Sequence, residues 1–183
     1  MRYNLNIKQI IICKEKTMPN KQNTNQPIVE VGQIIPAFTL PGVDGMPYSP
    51  WTYKQREHLL LLFTRSTSSS ETRGLLRAFA GEYKAFREET CTILAISPDT
   101  VIAHVETQEA LHLPFPLLAD PKGEVISRYT RWNSASKEVA PSFVLADRYG
   151  ALYQQWIAEN EADLPPIAEL LASLEYMNKL CTP

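Results

Sequence analysis

Leu59-Leu60-Leu61-Leu62-Phe63, then Thr64-Arg65-Ser66-Thr67-Ser68-Ser69-Ser70, then Glu71 onward to Phe86, is the stretch on which the fold turns. Five apolar residues without alternation suit a strand covered on both faces, as in a parallel sheet flanked by helices. Beyond the hydroxyl-rich loop, Leu75, Leu76, Phe79, Tyr83 and Phe86 recur at helical spacing, with Arg73, Arg77, Glu82 and Lys84 largely on the other side. Ser68 followed by Glu71 fits a capping box, which predicts one long helix starting at about Ser69. The strand thus delivers its loop onto a helix N-terminus, where free N–H groups and the positive dipole end favour anionic groups. In open α/β sheets chemistry usually sits at that end of the strands. This loop offers hydroxyls and one arginine, Arg65, and no thiol.

Working outward, residues 1–30 are polar and weakly patterned, rich in Asn and Gln from Asn20 to Gln26, and are expected to form a disordered or weakly ordered tail. Met18 heads this stretch, and translation is expected to be able to start there, which amino-terminal mass spectrometry tests. The domain is expected over 31–183. Phe38-Thr39-Leu40 and Pro47-Tyr48 flank Val43-Asp44-Gly45, a hairpin signal, and a helical turn is expected around Trp51–Arg56. After the long helix, Thr92–Ile96 reads as a strand, and 98–111 as a helix with Val101, Ile102, Val105 and Ala110 on its buried face. The proline-bracketed stretch 113–120 belongs at a sheet edge. A brief helix over Glu124–Tyr129 and a loop over Arg131–Val139 follow. Ser142–Ala146 and Leu152–Ile157 then pair across Asp147-Arg148-Tyr149-Gly150. Asp163 is expected to cap a closing helix lined by Ile167, Leu170, Leu171, Leu174 and Met177. Strands alternating with helices, then an antiparallel pair and a last helix, give a small three-layer α/β fold, most economically thioredoxin-like with a central mixed sheet.

A length of 183 residues, 44% of them hydrophobic, suffices for one α/β core. The formal charge of −2, with scattered Lys and Arg, argues against nucleic acid as a partner. No apolar run approaches the roughly 18 residues of a membrane span. Ile10-Ile11-Ile12 is too short for a signal-peptide core, so a cytoplasmic location is expected. The three cysteines, Cys13, Cys91 and Cys181, form no CxxC pair and no disulfide framework. Cys91 opens an apolar strand, where a thiol is buried and inert, with no cationic neighbour evident; Cys13 and Cys181 fall in tails. His58, His104 and His112 sit by pattern at a strand start and a helix end, away from the hydroxyl-rich loop, so neither a hydrolase base for Ser69 or Ser70 nor a metal site is expected. No cofactor is implied. Trp51, Trp132 and Trp156 read as core or hairpin packing, with Trp132 in a loop able to border the site.

Three segments carry a family resemblance. Residues 31–40, Val-Gly-Gln-Ile-Ile-Pro-Ala-Phe-Thr-Leu, resemble the opening of peroxiredoxins of the alkyl hydroperoxide reductase and thiol-specific antioxidant type. Ala95-Ile96-Ser97-Pro98-Asp99 resembles that family's strand end, and 113–120, Leu-Pro-Phe-Pro-Leu-Leu-Ala-Asp, its Pro-Phe-Pro-Leu-Leu-x-Asp stretch. The resemblance implies a thioredoxin-like fold, a thiol peroxidase ancestry and a homodimer. It also implies a Pro-x-x-x-Thr-x-x-Cys motif after the central strand and a distant arginine. Counted without gaps from Phe63, the family proline falls on Arg65, the threonine on Ser69 and the reactive cysteine on Thr72; counted back from Phe143, the arginine falls on Ala140. A Cys-x-x-Cys loop of related folds would fall on Ser69 and Thr72. Pro141 resembles the cis-proline beside the active site of thioredoxin-like proteins. A threonine hydroxyl has neither the acidity nor the oxidation ladder of a thiol, so no catalytic residue is expected at these positions. Two expectations follow: a redox-inactive protein that binds a protein partner or small ligand, or a thiol oxidoreductase working through another cysteine such as Cys91.

Overall fold

Alternate residues of the central strand feed two separate cores. The computed structural model describes residues 29–180, and the expectations placed on the chain before Val29, on Cys13 and Met18, and on Cys181 lie outside them. Leu59, Leu61 and Phe63 join one buried cluster with Phe38, Leu94, Ile96, Tyr129 and Val144. Leu60 and Leu62 join the other with Leu76, Phe79, Phe86, Phe143, Leu170 and Leu174. Side chains alternate across a strand, so a strand buried on both sides must be apolar at every position. This is the reason for the unbroken Leu run.

The elements in order are β1 (Leu40–Pro41), β2 (Pro47–Tyr48), β3 (His58–Phe63), α1 (Ser70–Gly81), α2 (Tyr83–Glu88), β4 (Cys91–Ser97), α3 (Val101–Leu111), β5 (Leu117–Ala119), β6 (Trp132–Asn133), β7 (Glu138–Val139), β8 (Ser142–Ala146), β9 (Leu152–Ile157) and α4 (Ile167–Leu180). Five strands form a mixed sheet in the order β5-β4-β3-β8-β9, with β5, β4 and β3 parallel and β8 and β9 antiparallel. This is the thioredoxin-like α/β architecture that the sequence predicts, with β1 and β2 as the N-terminal hairpin and β5 at a sheet edge. No described helix is long and apolar enough to cross a membrane.

Several local expectations need correction. The N-cap of α1 is Ser69, whose hydroxyl accepts from the Thr72 amide; Ser69 and Ser70 both donate to the Glu71 carboxylate, so the Ser68 capping box does not form. The long helix divides at Glu82, directly after Gly81, a residue of low helical propensity. The 124–129 segment is only a 3-10 turn at Ile126–Arg128, and the 131–139 loop contains the short β6–β7 hairpin. Asp163 ends a 3-10 turn and takes a hydrogen bond from Asn160 instead of capping α4, whose buried residues Leu170, Leu174 and Met177 are nonetheless those expected.

The largest departure is α3. It buries His104, Thr107 and Leu111, and leaves Ile102 78% exposed and Val105 36% exposed. Polar groups can face inward only where partners await them, and here they do.

Trp51 is also not core: it is 72% exposed, with the Lys54 ammonium 4.7 Å from its ring centre. Trp132 and Trp156 are partly buried against the two clusters.

Candidate functional site

The loop Thr64–Ser69 leaves the C-terminal end of β3 and enters α1, and its shape is fixed by one carboxylate. Asp99, just beyond β4, accepts from the Thr67 amide at 2.6 Å, the Thr67 hydroxyl at 2.8 Å, the Ser66 hydroxyl at 2.9 Å and the Ser97 hydroxyl at 3.1 Å. Burial pushes the Asp99 carboxyl up, but these bonds together outweigh it and hold the group below its ordinary range. Ser97 also meets His104 Nε2 at 2.7 Å, and Thr107 donates to Thr67 at 3.2 Å. The inward polar face of α3 therefore belongs to the loop's support. His104 was expected away from the loop; the crossover from β4 brings it behind the loop instead, fully buried and 4.0 Å from Asp99. Burial lowers its basicity against the opposing charge of Asp99. Ser97 and His104 are 1% and 0% exposed, so this Ser-His-Asp grouping holds structure and cannot meet a substrate.

The sequence-counted positions converge on the same pole. Thr72, buried in the first turn of α1, donates its hydroxyl to Glu161 at 3.2 Å. Arg65 places one guanidinium nitrogen 3.2 Å from the other oxygen of Glu161, and donates a second bond to the Glu159 carbonyl. The Glu161 side chain is 8% exposed. Ser142 opposes Phe63 in the antiparallel register, which sets Ala140 and Pro141 beside the loop. The peptide bonds of the described residues are all trans, so Pro141 is not a cis-proline. Around it the Ala140 amide donates to the Arg131 carbonyl, the Ala140 carbonyl accepts from the Thr130 hydroxyl, and the Pro141 carbonyl accepts from the Ala158 amide.

Arg131, Asn133, Glu138 and Glu159, which the sequence did not single out, complete the pole, and Trp132 borders it as expected. Arg131 binds the Glu159 carboxylate at 2.8 Å. Arg65, Arg131, Trp132, Asn133, Glu138 and Glu159 are among the residues lining a cleft of about 430 Å³, with Ala140 on its wall. Trp132 is seated against Gly123, where φ is +67° and a Cβ would come within 2.2 Å of the indole. Only glycine tolerates both demands. Among the described residues, the buried side-chain polar atoms without a partner include Thr64 Oγ1, His104 Nδ1, Arg131 Nε and Ser142 Oγ, all at this pole. No signal in the sequence joins Glu159 and Glu161 to Arg131 and Arg65, because the pairing is made by the β9–α4 connection folding across the sheet end.

Cys91 lies at the other end. It pairs with His58 at the start of β4, is fully buried, and is pushed up in pKa chiefly by that burial. Contrary to expectation it has a cationic neighbour: Arg87 donates to the Cys91 carbonyl at 3.2 Å. That guanidinium is already paired with Glu57 at 2.7 Å, which leaves little of its charge to favour a thiolate. No group of three or more His, Cys, Asp or Glu side chains that could hold a metal is present among the described residues.

A mixed sheet with this strand order, a loop running from its central strand into a helix N-terminus and a closing helix define a protein of the thioredoxin-like class. Within that class, residues 31–155 match the AhpC/TSA family, and the chain belongs to it. It is similar to peroxiredoxin Bcp of Bacillus subtilis strain 168, at 26% identity over 157 residues that cover 82% of this chain and 98% of the relative. Among solved structures it resembles peroxidoxin BcpB of Mycobacterium tuberculosis, with a TM-score of 0.71 and 20% identity over 81% of this chain and 97% of the other. It also resembles the reduced 2-Cys peroxiredoxin of Plasmodium vivax, with a TM-score of 0.74 and 19% identity over 81% of this chain and 82% of the other. At those identities the structures speak for the fold.

Proposed function

We propose that this chain is an AhpC/TSA family member that binds a ligand at the loop pole and does not reduce peroxide there. One observation carries the reading: the position counted for the reactive thiol is Thr72, and its hydroxyl is already engaged by Glu161. Peroxide reduction requires a thiolate that attacks oxygen and becomes a sulfenic acid, and a hydroxyl does not take that path. The other counted positions, Arg65, Ser69 and Ala140, supply a guanidinium salt-bridged to Glu161, a helix cap and a methyl group. What the pole does offer is hydrogen-bonding capacity, two arginines and a cleft of about 430 Å³, within the usual size of a small-molecule site.

A second reading has its own support. Relatives such as peroxiredoxin Bcp of Bacillus subtilis carry the peroxiredoxin name, which favours a thiol-dependent peroxidase; with threonine at position 72, its thiol would have to be another cysteine. For Cys91 that chemistry would have to overcome complete burial and a raised pKa.

The experiment is intact mass on the reduced protein after stoichiometric hydrogen peroxide, with and without a thiol trap, followed by peptide mapping. The ligand-binding reading expects no cysteine to gain oxygen or the trap faster than a free thiol in solution. Rapid oxidation of Cys91, Cys13 or Cys181 would establish the peroxidase reading in its place.

A further inference from the structure

The loop pole already holds an anion, and that anion is the protein's own. Glu161 reaches back from the β9–α4 connection, and its side chain is 8% exposed. One of its carboxylate oxygens takes the Thr72 hydroxyl and the other the Arg65 guanidinium, each at 3.2 Å. Thr72 stands in the first turn of a twelve-residue helix, where the dipole adds its own attraction for negative charge. Two residues earlier on the same connection, Glu159 takes Arg131, so each arginine of the cleft is held by one carboxylate of a single strap.

We propose that the Arg65–Thr72 pair is a carboxylate-binding site in which Glu161 acts as an internal occupant, and that the ligand of this pole is a small carboxylate that displaces Glu161 and extends into the cleft beside Arg131. This rests on the ligand-binding reading above and names its ligand class. A buried charge is tolerated only when paired and hydrogen-bonded, so the surroundings of Glu161 show what the site is built to hold. A second carboxylate cannot sit beside the first, because like charges at such a distance repel strongly. Occupancy by the strap and by a ligand are therefore alternatives, and release of the strap is coupled to binding. The strap is tethered by β9 on one side and α4 on the other, which keeps Glu161 at high effective concentration and sets a threshold that a ligand must exceed.

The test uses formate as the probe, against chloride at equal ionic strength, with the full chain as wild type, Glu161→Ala, and Glu161→Ala combined with Arg65→Gln. Two readouts are followed: the melting temperature and the backbone amide shifts of Ser70–Arg73. Removal of the internal occupant is expected to create saturable formate binding at least tenfold tighter than in wild type, with a rise in melting temperature. The double variant is expected to lose that response. Equal responses in wild type and Glu161→Ala, no response in Glu161→Ala, or a response that survives loss of Arg65 would each overturn the proposal. Should Glu161→Ala fail to fold, Glu161→Gln keeps the side-chain volume, removes the charge and is held to the same tenfold criterion. Oxidation mapping of the wild type stays independent, so a failure of formate binding leaves the redox question separately answered.

Discussion

The two ends of the β3–β4 pair differ in what they have done with their chemistry. At one end, where Phe63 meets Ile96, there is a helix N-terminus, a loop of hydroxyls, two arginines and no sulfur. At the other, where His58 meets Cys91, there is sulfur, but it is buried and the guanidinium beside it, Arg87, is already paired with Glu57. Five steps of about 3.3 Å along an extended strand keep the two apart by roughly 17 Å. Anion-favouring geometry and reactive side chain are thus separable, and family membership alone does not locate either. The contrast can be broken at several points.

The largest effect belongs to the sulfur end. A fully buried thiol must wait for the protein to open before it meets a reagent, and core openings cost a large share of a stability of about 5–15 kcal/mol. Cys91 in the native protein is therefore expected to react with a disulfide reagent at least about a thousandfold more slowly than in urea, with a rate that tracks unfolding. Modification within tenfold of the urea rate would show an access route and remove the contrast between the ends. The check is stopped-flow labelling with peptide mapping.

Next comes the carboxylate that builds the loop end. Asp99→Ala leaves the Thr67 amide and the Thr67, Ser66 and Ser97 hydroxyls without their acceptor. Hydrogen bonds to a charged group are worth about 1.5–3 kcal/mol each but do not add, so a loss of roughly 2–4 kcal/mol is expected by urea denaturation. Ser97→Ala, which removes one of these donors, is expected to cost less.

Acid sharpens the same comparison, because each end buries a histidine. Burial lowers the pKa of both His104, against the charge of Asp99, and His58, against its hydrogen bond to Asn178. The unfolded chain, with histidine near its ordinary 6.5, then binds more protons than the folded one. Stability is fully present above that value and falls as pH drops below it, by at most about 1.4 kcal/mol per pH unit for each histidine. Asp99, held below 3.8, adds a further loss only at still lower pH. His104→Gln should roughly halve the slope between pH 6 and 5 in urea titrations, and an unchanged slope would mean that His104 titrates normally.

The fold was legible because its decisive signals are local. An unbroken apolar run, a helical period after it and an Asp-Gly turn are each read within a dozen residues, and β3, α1 and the β1–β2 hairpin stand where they indicate. The site was legible only in part. Arg65, Ser69 and Thr72 come from one loop and helix turn, but Arg131, Glu159 and Glu161 reach the same pole from connections whose paths no periodicity encodes. The burial of α3 was misread for a related reason: Ile102 and Val105 make the better apolar stripe, while His104 and Thr107 are inward because Ser97 and Thr67 receive them. A polar face turned inward looks like a solvated one until its partners are known. Pro141 was misread because a proline before a strand has the same spelling whether its bond is cis or trans.

The smallest expected effect is also the most informative about the loop end. Thr72→Cys returns sulfur to the first turn of α1, where a helix terminus by itself would make a thiol more acidic. Two features oppose it. Position 72 is fully buried, which disfavours a thiolate and shuts out peroxide, and the Glu161 carboxylate bonded to the Thr72 hydroxyl would repel a second negative charge. The variant is therefore expected to react with hydrogen peroxide no faster than a free thiol in solution, followed by stopped-flow fluorescence and intact mass. Adding Glu161→Gln removes one obstacle and should raise that rate severalfold while leaving the burial in place. If Thr72→Cys alone were fast, the helix terminus would have outweighed the strap, and the difference between the two ends would reduce to which of them carries the cysteine.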